Sequence, residues 1–273
     1  LQLFKEFYRM QEKEFSNIEK NFTEPESLKV PLREGFREAY TLHLADTNLI
    51  LAQRNAEWCG HGPILEQDIA ITNISLDQLG QSRNFYQYAA TLIGNDATED
   101  SLAYLRTERE FKNCLLAEQP NSDWAQTILR QFFLSAYQFL LYEKLQNSNN
   151  EQIAAITAKA LKEVTYHLRW SSEWVIRLGD GTEESHQRML KAIDELWRYT
   201  GELFIAADYE AAAGFDISSL KDDWLKKVNT VFEEATLPVP EKAFMQTGGK
   251  TGVHTEHLGF ILAEMQYLQR AYP

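Results

Sequence analysis

The residue types between positions 158 and 174 could bind a metal ion. Helical bundles that hold two carboxylate-bridged metal ions carry a Glu, and a His three residues later, on each of two helices, since that spacing places both side chains on one face. His167 is present here, but Val164 occupies the position three residues before it. Glu163 precedes His167 by four residues, which is also a same-face spacing. The segment therefore keeps part of a metal-binding pattern.

The other predicted helices supply few of the missing ligands. A di-iron centre takes about four carboxylates and two His from four helices. In the second helix, Gln78 and Gln81 have the Glu–His spacing, but amides stand in place of both ligands. Amides are neutral and cannot offset the charge of two iron ions as carboxylates do. Asp46 precedes Asn48 by two residues in the first helix, and the middle of the third helix contributes Ser135 rather than an acid.

Gly249, Lys250 and Thr251 form a triplet that is typical of the end of a phosphate-binding loop. Such a loop also needs a Gly five residues before Gly249, where Phe244 stands, and a preceding strand. Pro238 and Pro240 occupy the place of that strand. We therefore expect a tight glycine turn that leads into a helix, although the N-terminus of that helix could still hold an anion.

His254, Glu256 and His257 form the densest imidazole cluster of the sequence. Zinc proteases use two His four residues apart, whereas these two are three residues apart and no third ligand is evident. Capping or interface hydrogen bonds are favoured over metal binding, and the role of the three residues stays open. Cys59 and His61 flank a glycine at a helix end, with no triad partner indicated.

The composition excludes several classes of protein. The 273 residues include 40 acidic and 27 basic side chains, for a net charge of -13, and no Lys/Arg cluster that would follow a nucleic acid backbone. Two cysteines, Cys59 and Cys114, are too few for a disulfide framework. No run of 18 apolar residues occurs and the N-terminus is not signal-like. We expect a soluble cytoplasmic protein with no nucleic acid or membrane partner.

Helix stop signals divide the chain into long helices, and no alternating strand pattern occurs. The predicted core helices span about 33-59, 64-93, 123-146 and 151-178. They predict an all-α, ferritin-like four-helix bundle in which a long crossover makes the second and third helices parallel. The domain comprises residues 33-273 with additional C-terminal helices, predicted from Thr182 to about Ala213, from Ser218 or Ser219 to Glu234 and from His254 to Arg270. Residues 1-32 predict an N-terminal amphipathic helical arm and linker.

Five long runs of sequence carry a resemblance that is more specific than any short motif. They are LADTNLILAQRNAEWCGHGP, NISLDQLGQSRNFYQYA, AEQPN at 117 to 121, AKALKEVTYHLRWSSEWVIRLGDGT and TGGKTGVHTEHLGFILAEMQYLQR. Together, from about Tyr40 to the C-terminus, they resemble the PaaC family, the C subunits of bacterial phenylacetyl-CoA epoxidases. The N-terminal arm departs from that family.

The resemblance implies a structural subunit without a working metal site. In such a complex, a catalytic ferritin-like subunit holds the di-iron centre, and an NADPH-dependent reductase subunit supplies electrons for epoxidation of phenylacetyl-CoA by O2. The positions that match the ligands of the catalytic relative are Asn48, Gln78, Gln81, Ser135, Val164 and His167. The chain is then expected to hold no catalytic residue, cofactor or metal ion of its own.

Three interpretations follow from this resemblance and from the residues. In the first, the chain pairs with the di-iron catalytic subunit and stabilises it, with Asp46, Asp77 and Glu163 available to a basic side chain of a partner. Whether it also forms a homodimer or touches the CoA thioester stays open. In the second, the chain is itself a di-metal oxygenase, whose ligands would be Asp46, Asp77, Glu163 and His167, with Glu66 or Asp68 as a further carboxylate. The third is a metal-free helical protein that binds another acyl-CoA.

Overall fold

The structure, a computed structural model, describes residues 34–214, 216–241 and 243–272. These residues form helices α1 (Glu34–Ala56), α2 (Leu65–Ile93), α3 (Glu99–Tyr104), α4 (Leu115–Glu118), α5 (Trp124–Leu145), α6 (Glu151–Gly179), α7 (Glu183–Leu196), α8 (Asp208–Ala212), α9 (Lys221–Glu234), α10 (Glu256–Met265) and α11 (Tyr267–Ala271). No β-strand occurs within the described ranges, so the predicted all-α class is confirmed. The predicted N-terminal arm lies outside them.

Local signals in the sequence set the ends of the long helices. The Asp123 side chain accepts a hydrogen bond from the backbone of the first turn of α5, and Asn150 does the same for α6. Thr182 begins α7 with a capping box. At the other end, α2 stops before Gly94, which has a φ of 66° that other residues adopt rarely.

Hydrogen bonds between α1 and α2 show that the two helices are antiparallel. The Ser75 hydroxyl donates to the Ala52 carbonyl at 2.8 Å, and the Ser82 hydroxyl donates to the Ala45 carbonyl at 3.0 Å. The later residue of α2 therefore meets the earlier residue of α1. Both serines are small, so the two helix backbones approach closely enough for side chain to reach main chain.

Contacts between α1 and α5 follow the same reversed order. Asn55 donates to the Gln131 side chain at 2.7 Å, whereas Asn48 donates to the Tyr142 hydroxyl at 2.9 Å. Since α2 and α5 are each antiparallel to α1, they run in the same direction. The segment 94–123 is the long connection that this direction requires, and the predicted ferritin-like bundle with a crossover is confirmed.

The C-terminal helices add a second layer over the bundle. Helices α7 and α9 pack on α5, and the Trp224 indole nitrogen donates to the Phe133 carbonyl at 3.0 Å. An aromatic cluster fills the space between them, made of Phe132, Phe133, Trp197, Phe204, Trp224 and Phe232. Nearly all of α5 is buried, because this layer covers the side that the bundle leaves open.

Two helix predictions were too long. The helix from Thr182 ends at Leu196 rather than near Ala213, because the chain turns through 3-10 segments there and brings the Glu202 carboxylate to the Leu115 amide at 2.7 Å. The last helix breaks at Gln266, whose side chain donates to carbonyl groups at the end of α3. In both places a distant contact overrides local helix propensity.

None of the helices described is both long and apolar enough to span a membrane.

Candidate functional site

A network of amides occupies the centre of the bundle. The Asn55 side chain donates to the Gln78 oxygen at 2.9 Å and to the Gln131 oxygen at 2.7 Å. Gln131 in turn donates to the Ser135 hydroxyl at 2.8 Å. All four side chains are completely buried. Two of the sequence-predicted ligand positions, Gln78 and Ser135, are therefore brought together, and neutral hydrogen bonds join them through residues that the sequence patterns did not indicate.

Asn48 belongs to a neighbouring group of neutral polar side chains. Its amide nitrogen donates to the Leu44 carbonyl at 2.8 Å and to the Tyr142 hydroxyl, and its oxygen accepts from Gln138 at 3.0 Å. Burial raises the pKa of Tyr142 above its ordinary value. The tyrosine stays a neutral hydroxyl, and this group holds no charge that would attract a cation.

The remaining predicted positions lie between α2 and α6. The buried His167 ring places Nε2 3.0 Å from Oδ2 of Asp77, whose side chain is 38% exposed. One turn further along α2, the Gln81 amide donates to Oε2 of the half-buried Glu163 at 2.9 Å. Val164 is buried beside them. Asp77 and Glu163 therefore remain near the surface, each hydrogen-bonded to a residue of the opposite helix.

Asp46 does not join these residues, and its expected availability to a partner is wrong. Its buried carboxylate forms an ion pair with Arg106 and accepts hydrogen bonds from the Tyr86 hydroxyl at 2.5 Å and the Lys112 amide at 2.8 Å. Burial disfavours the charged form of Arg106, but the Asp46 carboxylate and the Tyr86 hydroxyl outweigh this and raise the pKa of the guanidinium. Asp46 is fully satisfied within the chain.

The described donor set does not fit a di-iron centre. Such a centre needs several carboxylates aimed at one point, and nowhere in the described ranges do three His, Cys, Asp or Glu side chains form a metal-holding group. Glu66 is exposed, and Asp68 accepts the Gly62 amide at 2.9 Å. Together with the pairing of Asp46, this counts against the predicted ligand set of Asp46, Asp77, Glu163 and His167.

We expect Gln78→Glu to lower the free energy of unfolding by about 2–4 kcal/mol at pH 7, because it buries a carboxylate with no cation beside it. Burial would raise the pKa of this carboxyl group, so the loss should shrink as the pH falls. Urea unfolding at pH 5 and pH 8 measures both effects. Gln152→Glu, at an exposed position in the first turn of α6, is the matched control. Equal stability of the two variants would show that the centre tolerates charge.

A second buried site joins the His254 segment to α4. The His254 ring lies between the Glu118 carboxylate, 2.8 Å from Nδ1, and the Phe111 carbonyl, 3.0 Å from Nε2. The other Glu118 oxygen accepts from the amide and the hydroxyl of Thr255, both at 2.7 Å. Because both ring nitrogens face acceptors, the geometry favours the protonated imidazolium. Glu118 also occupies the anion position at the N-terminus of α10.

The pKa of His254 predicts a pH-dependent stability. Burial lowers this pKa, but the Glu118 hydrogen bond and charge together with the Phe111 carbonyl outweigh burial and raise it. A raised folded-state pKa gives stability that is complete below the unfolded value of about 6.5 and is lost as pH rises through the folded value. We expect the free energy of unfolding to fall as the pH rises above about 6.5, and to fall less in His254→Gln. His61→Gln, at an exposed ring, should keep the wild-type slope.

The other members of these clusters do not add to this site. Glu256 is exposed and His257 is half-buried. The His61 ring lies 3.1 Å from the Cys59 carbonyl rather than next to its thiol. Cys114 is buried, and burial raises its pKa to about 12, so it carries a neutral thiol. None of these arrangements activates a nucleophile.

The glycine-rich turn is filled by the chain's own carboxylates. The Gly248 amide donates to Glu202 at 2.8 Å, and Lys250 directs its ammonium group to both Glu210 oxygens at 3.0 and 3.1 Å. At Gly249, a Cβ would lie 2.4 Å from the Asn113 carbonyl, so only glycine fits. The turn is a packing element, and the groups that would hold a phosphate in a nucleotide-binding loop already have partners.

No pattern in the sequence indicated the partners of the buried acids at these sites. Glu118 and His254 are 136 residues apart, and Asp46 and Arg106 are 60 residues apart. Helical spacing relates residues only within one helix. An isolated charge within an apolar run, as in LLAEQ at 115–119, is the one signal that would have indicated a buried partner.

Comparison with known proteins gives two matches. The sequence model of the family described as "Phenylacetic acid catabolic protein" matches residues 24–273. A relative from Escherichia coli (strain K12), the C subunit of 1,2-phenylacetyl-CoA epoxidase, is 52% identical over 240 residues. The match covers 86% of this chain and 96% of the relative.

Proposed function

Because this chain belongs to the phenylacetic acid catabolic protein family, we propose that it is the non-catalytic structural subunit of a multicomponent phenylacetyl-CoA epoxidase. The 52% identity to the Escherichia coli epoxidase protein, over nearly the whole length of that relative, supports a place in phenylacetate catabolism. In this proposal, the chain pairs with a di-iron catalytic subunit and stabilises it in the cytoplasm.

The observation that carries the non-catalytic role is the amide network in the bundle centre. Gln78 and Ser135 stand at positions where a di-iron relative has ligands, and they are joined through Asn55 and Gln131 by hydrogen bonds of 2.7 to 3.2 Å. Neutral amides joined by hydrogen bonds are less costly to bury than unpaired carboxylates. The network supports a bundle that is stable with no metal ion.

In this proposal, the di-iron centre and the reductase that the reaction needs belong to other subunits of the complex. One atom of O2 enters the aromatic ring of phenylacetyl-CoA, and the other leaves as water with two electrons and two protons. A di-iron centre in the catalytic subunit would activate the O2, and an NADPH-dependent reductase would supply the electrons. This chain contributes a rigid helical surface to the complex. It holds none of the reacting groups.

The proposal is tested by purifying the chain alone and together with the catalytic subunit. We expect less than 0.1 iron per chain in the isolated protein, as an order of magnitude for a bundle without ligands. We also expect a stable complex in size-exclusion chromatography, and ring epoxidation only when both subunits and the reductase are present. About two irons per chain, with turnover by this chain and the reductase alone, would instead establish a di-metal oxygenase.

Direct titration with phenylacetyl-CoA distinguishes the proposed function from that of a metal-free acyl-CoA-binding protein. An acyl-CoA-binding protein would saturate with the ester in the absence of the other subunits. In the proposed function, tight binding needs the complex, so the isolated chain should show much weaker binding by calorimetry than the complex does.

A further inference from the structure

Helix α2 exposes four large apolar side chains on one side, with Thr72 between Ile69 and Leu76 and the exposed Arg83 one turn after Gly80. The four side chains are Leu65, Ile69, Leu76 and Leu79, with exposed fractions of 71%, 51%, 59% and 38%. These positions and Gly80 fall on one side of the helix, because they follow the spacing of three, four and seven residues. We call this set the α2 outer face. A solvated helix normally carries polar side chains on such a face.

Among the residues that the structure describes, no contact requires a glycine at position 80. Gly80 lies in the middle of the 29-residue helix α2, it is exposed, and a Cβ built on it would meet nothing within 4 Å. A glycine inside a helix is less stable than an alanine there, since it loses more backbone entropy on folding. Close approach of a backbone from outside the chain is a physical reason for a glycine at this position.

Two carboxylates border the α2 outer face. Asp77 follows Leu76 on the side of α2 that faces α6, and Glu163 lies across from it on α6. Their hydrogen bonds to His167 and Gln81 hold them in place, and both remain accessible to solvent. A Lys or Arg at this position would gain two charge-assisted hydrogen bonds.

The charges favour a partner different from this chain. Each copy carries a net charge of -13. A second copy docked by this face would bring another pair of these carboxylates to the same contact, and like charges across an interface are unfavourable. A chain that offers an apolar helix with a basic side chain complements both features of the face.

We propose that the α2 outer face is the docking surface for a helix of a non-identical partner, which packs its backbone close to Gly80 and directs a Lys or Arg to Asp77 and Glu163. The identification of that partner as the catalytic subunit of the epoxidase rests on the proposed function. The four apolar side chains supply buried area, and the two carboxylates fix the register of the partner helix.

Two variants at one glycine test the close approach. Gly80→Ala and Gly80→Arg both add helix propensity, so both isolated chains should fold, with a melting temperature at or up to about 2 °C above that of the wild type. Only Gly80→Arg places a long side chain in the contact. We expect it to weaken binding of the catalytic subunit at least 100-fold by biolayer interferometry, while Gly80→Ala weakens it less than 10-fold.

A matched pair of leucines tests the apolar side chains of this face. Leu76→Lys should weaken binding at least 10-fold, whereas Leu268→Lys, at a site 69% exposed on α11, should bind like the wild type. Wild-type binding by Gly80→Arg and Leu76→Lys would overturn the docking surface and leave the proposed function intact. If these two variants abolished self-association of the chain and left binding of the catalytic subunit unchanged, the face would be a homodimer contact and the proposal would also be overturned. If the wild-type chain does not bind the catalytic subunit, both proposals fail.

Discussion

Arg106→Met should lower the free energy of unfolding by about 3–5 kcal/mol, because it leaves the carboxylate of Asp46 buried without its cation. The Asp46 side chain is completely buried and Arg106 is 9% exposed. The guanidinium also donates to the carbonyl groups of Leu102 and Glu110, so it joins α1 to the segment after α3. Urea or thermal unfolding of the purified chain measures the loss.

Two further variants separate charge burial from lost packing. In the Arg106→Met background, Asp46→Asn removes the uncompensated charge and should recover most of the loss, since a neutral amide is less costly to bury. Arg83→Met removes the exposed ion pair with Glu99 and should change stability by about 1 kcal/mol at most. If Arg106→Met and Arg83→Met had the same effect, the buried pair would contribute no more than a surface pair.

Lys250→Met should also destabilise the chain by about 3–5 kcal/mol, because its ammonium group is the cation beside the buried carboxylate of Glu210. The same ammonium group donates to the Leu203 and Ile205 carbonyls at 3.3 and 3.1 Å. These three contacts hold the glycine-rich turn on the segment that follows α7. The loss is measured by thermal unfolding at neutral pH.

The control for this variant is Lys226→Met, which removes an exposed pair with Asp223 and should leave the melting temperature close to that of the wild type. The double variant Lys250→Met with Glu210→Gln should be more stable than Lys250→Met alone. Inorganic phosphate or ATP should not raise the melting temperature of the wild type, since Lys250 and the Gly248 amide already bind carboxylates. Stabilisation by ATP that Lys250→Met abolishes would instead support a nucleotide site.

In the proposed function, the centre of the bundle is polar and neutral, whereas the outer surface of α2 is apolar. Inside, hydrogen bonds join neutral amides, and a neutral amide is less costly to bury than an unpaired carboxylate. Outside, α2 keeps apolar side chains and a glycine that contribute little to the isolated chain. A subunit that stabilises a partner needs both properties, since it must fold alone and still offer a surface that only the complex buries.

Several features follow from the amino-acid sequence alone. Helix ends depend on nearby capping residues, so the end of α2 and the starts of α5, α6 and α7 could be predicted from Gly94, Asp123, Asn150 and Thr182. The prediction that metal ligands are lost is equally local, because the identity of a side chain decides whether it can bind iron. Gln78, for example, has a neutral amide that cannot offset the charge of an iron ion, and this does not depend on the residues around it.

Only the tertiary structure decided which buried charges meet. Asp46 has the helical phase of a residue near the centre, but Arg106, 60 residues later, binds it instead. The partner of His254 lies 136 residues earlier, and the chain after Leu196 bends because Glu202 reaches Leu115. Charge interactions depend on distance in space and on burial, and no local spacing encodes either one.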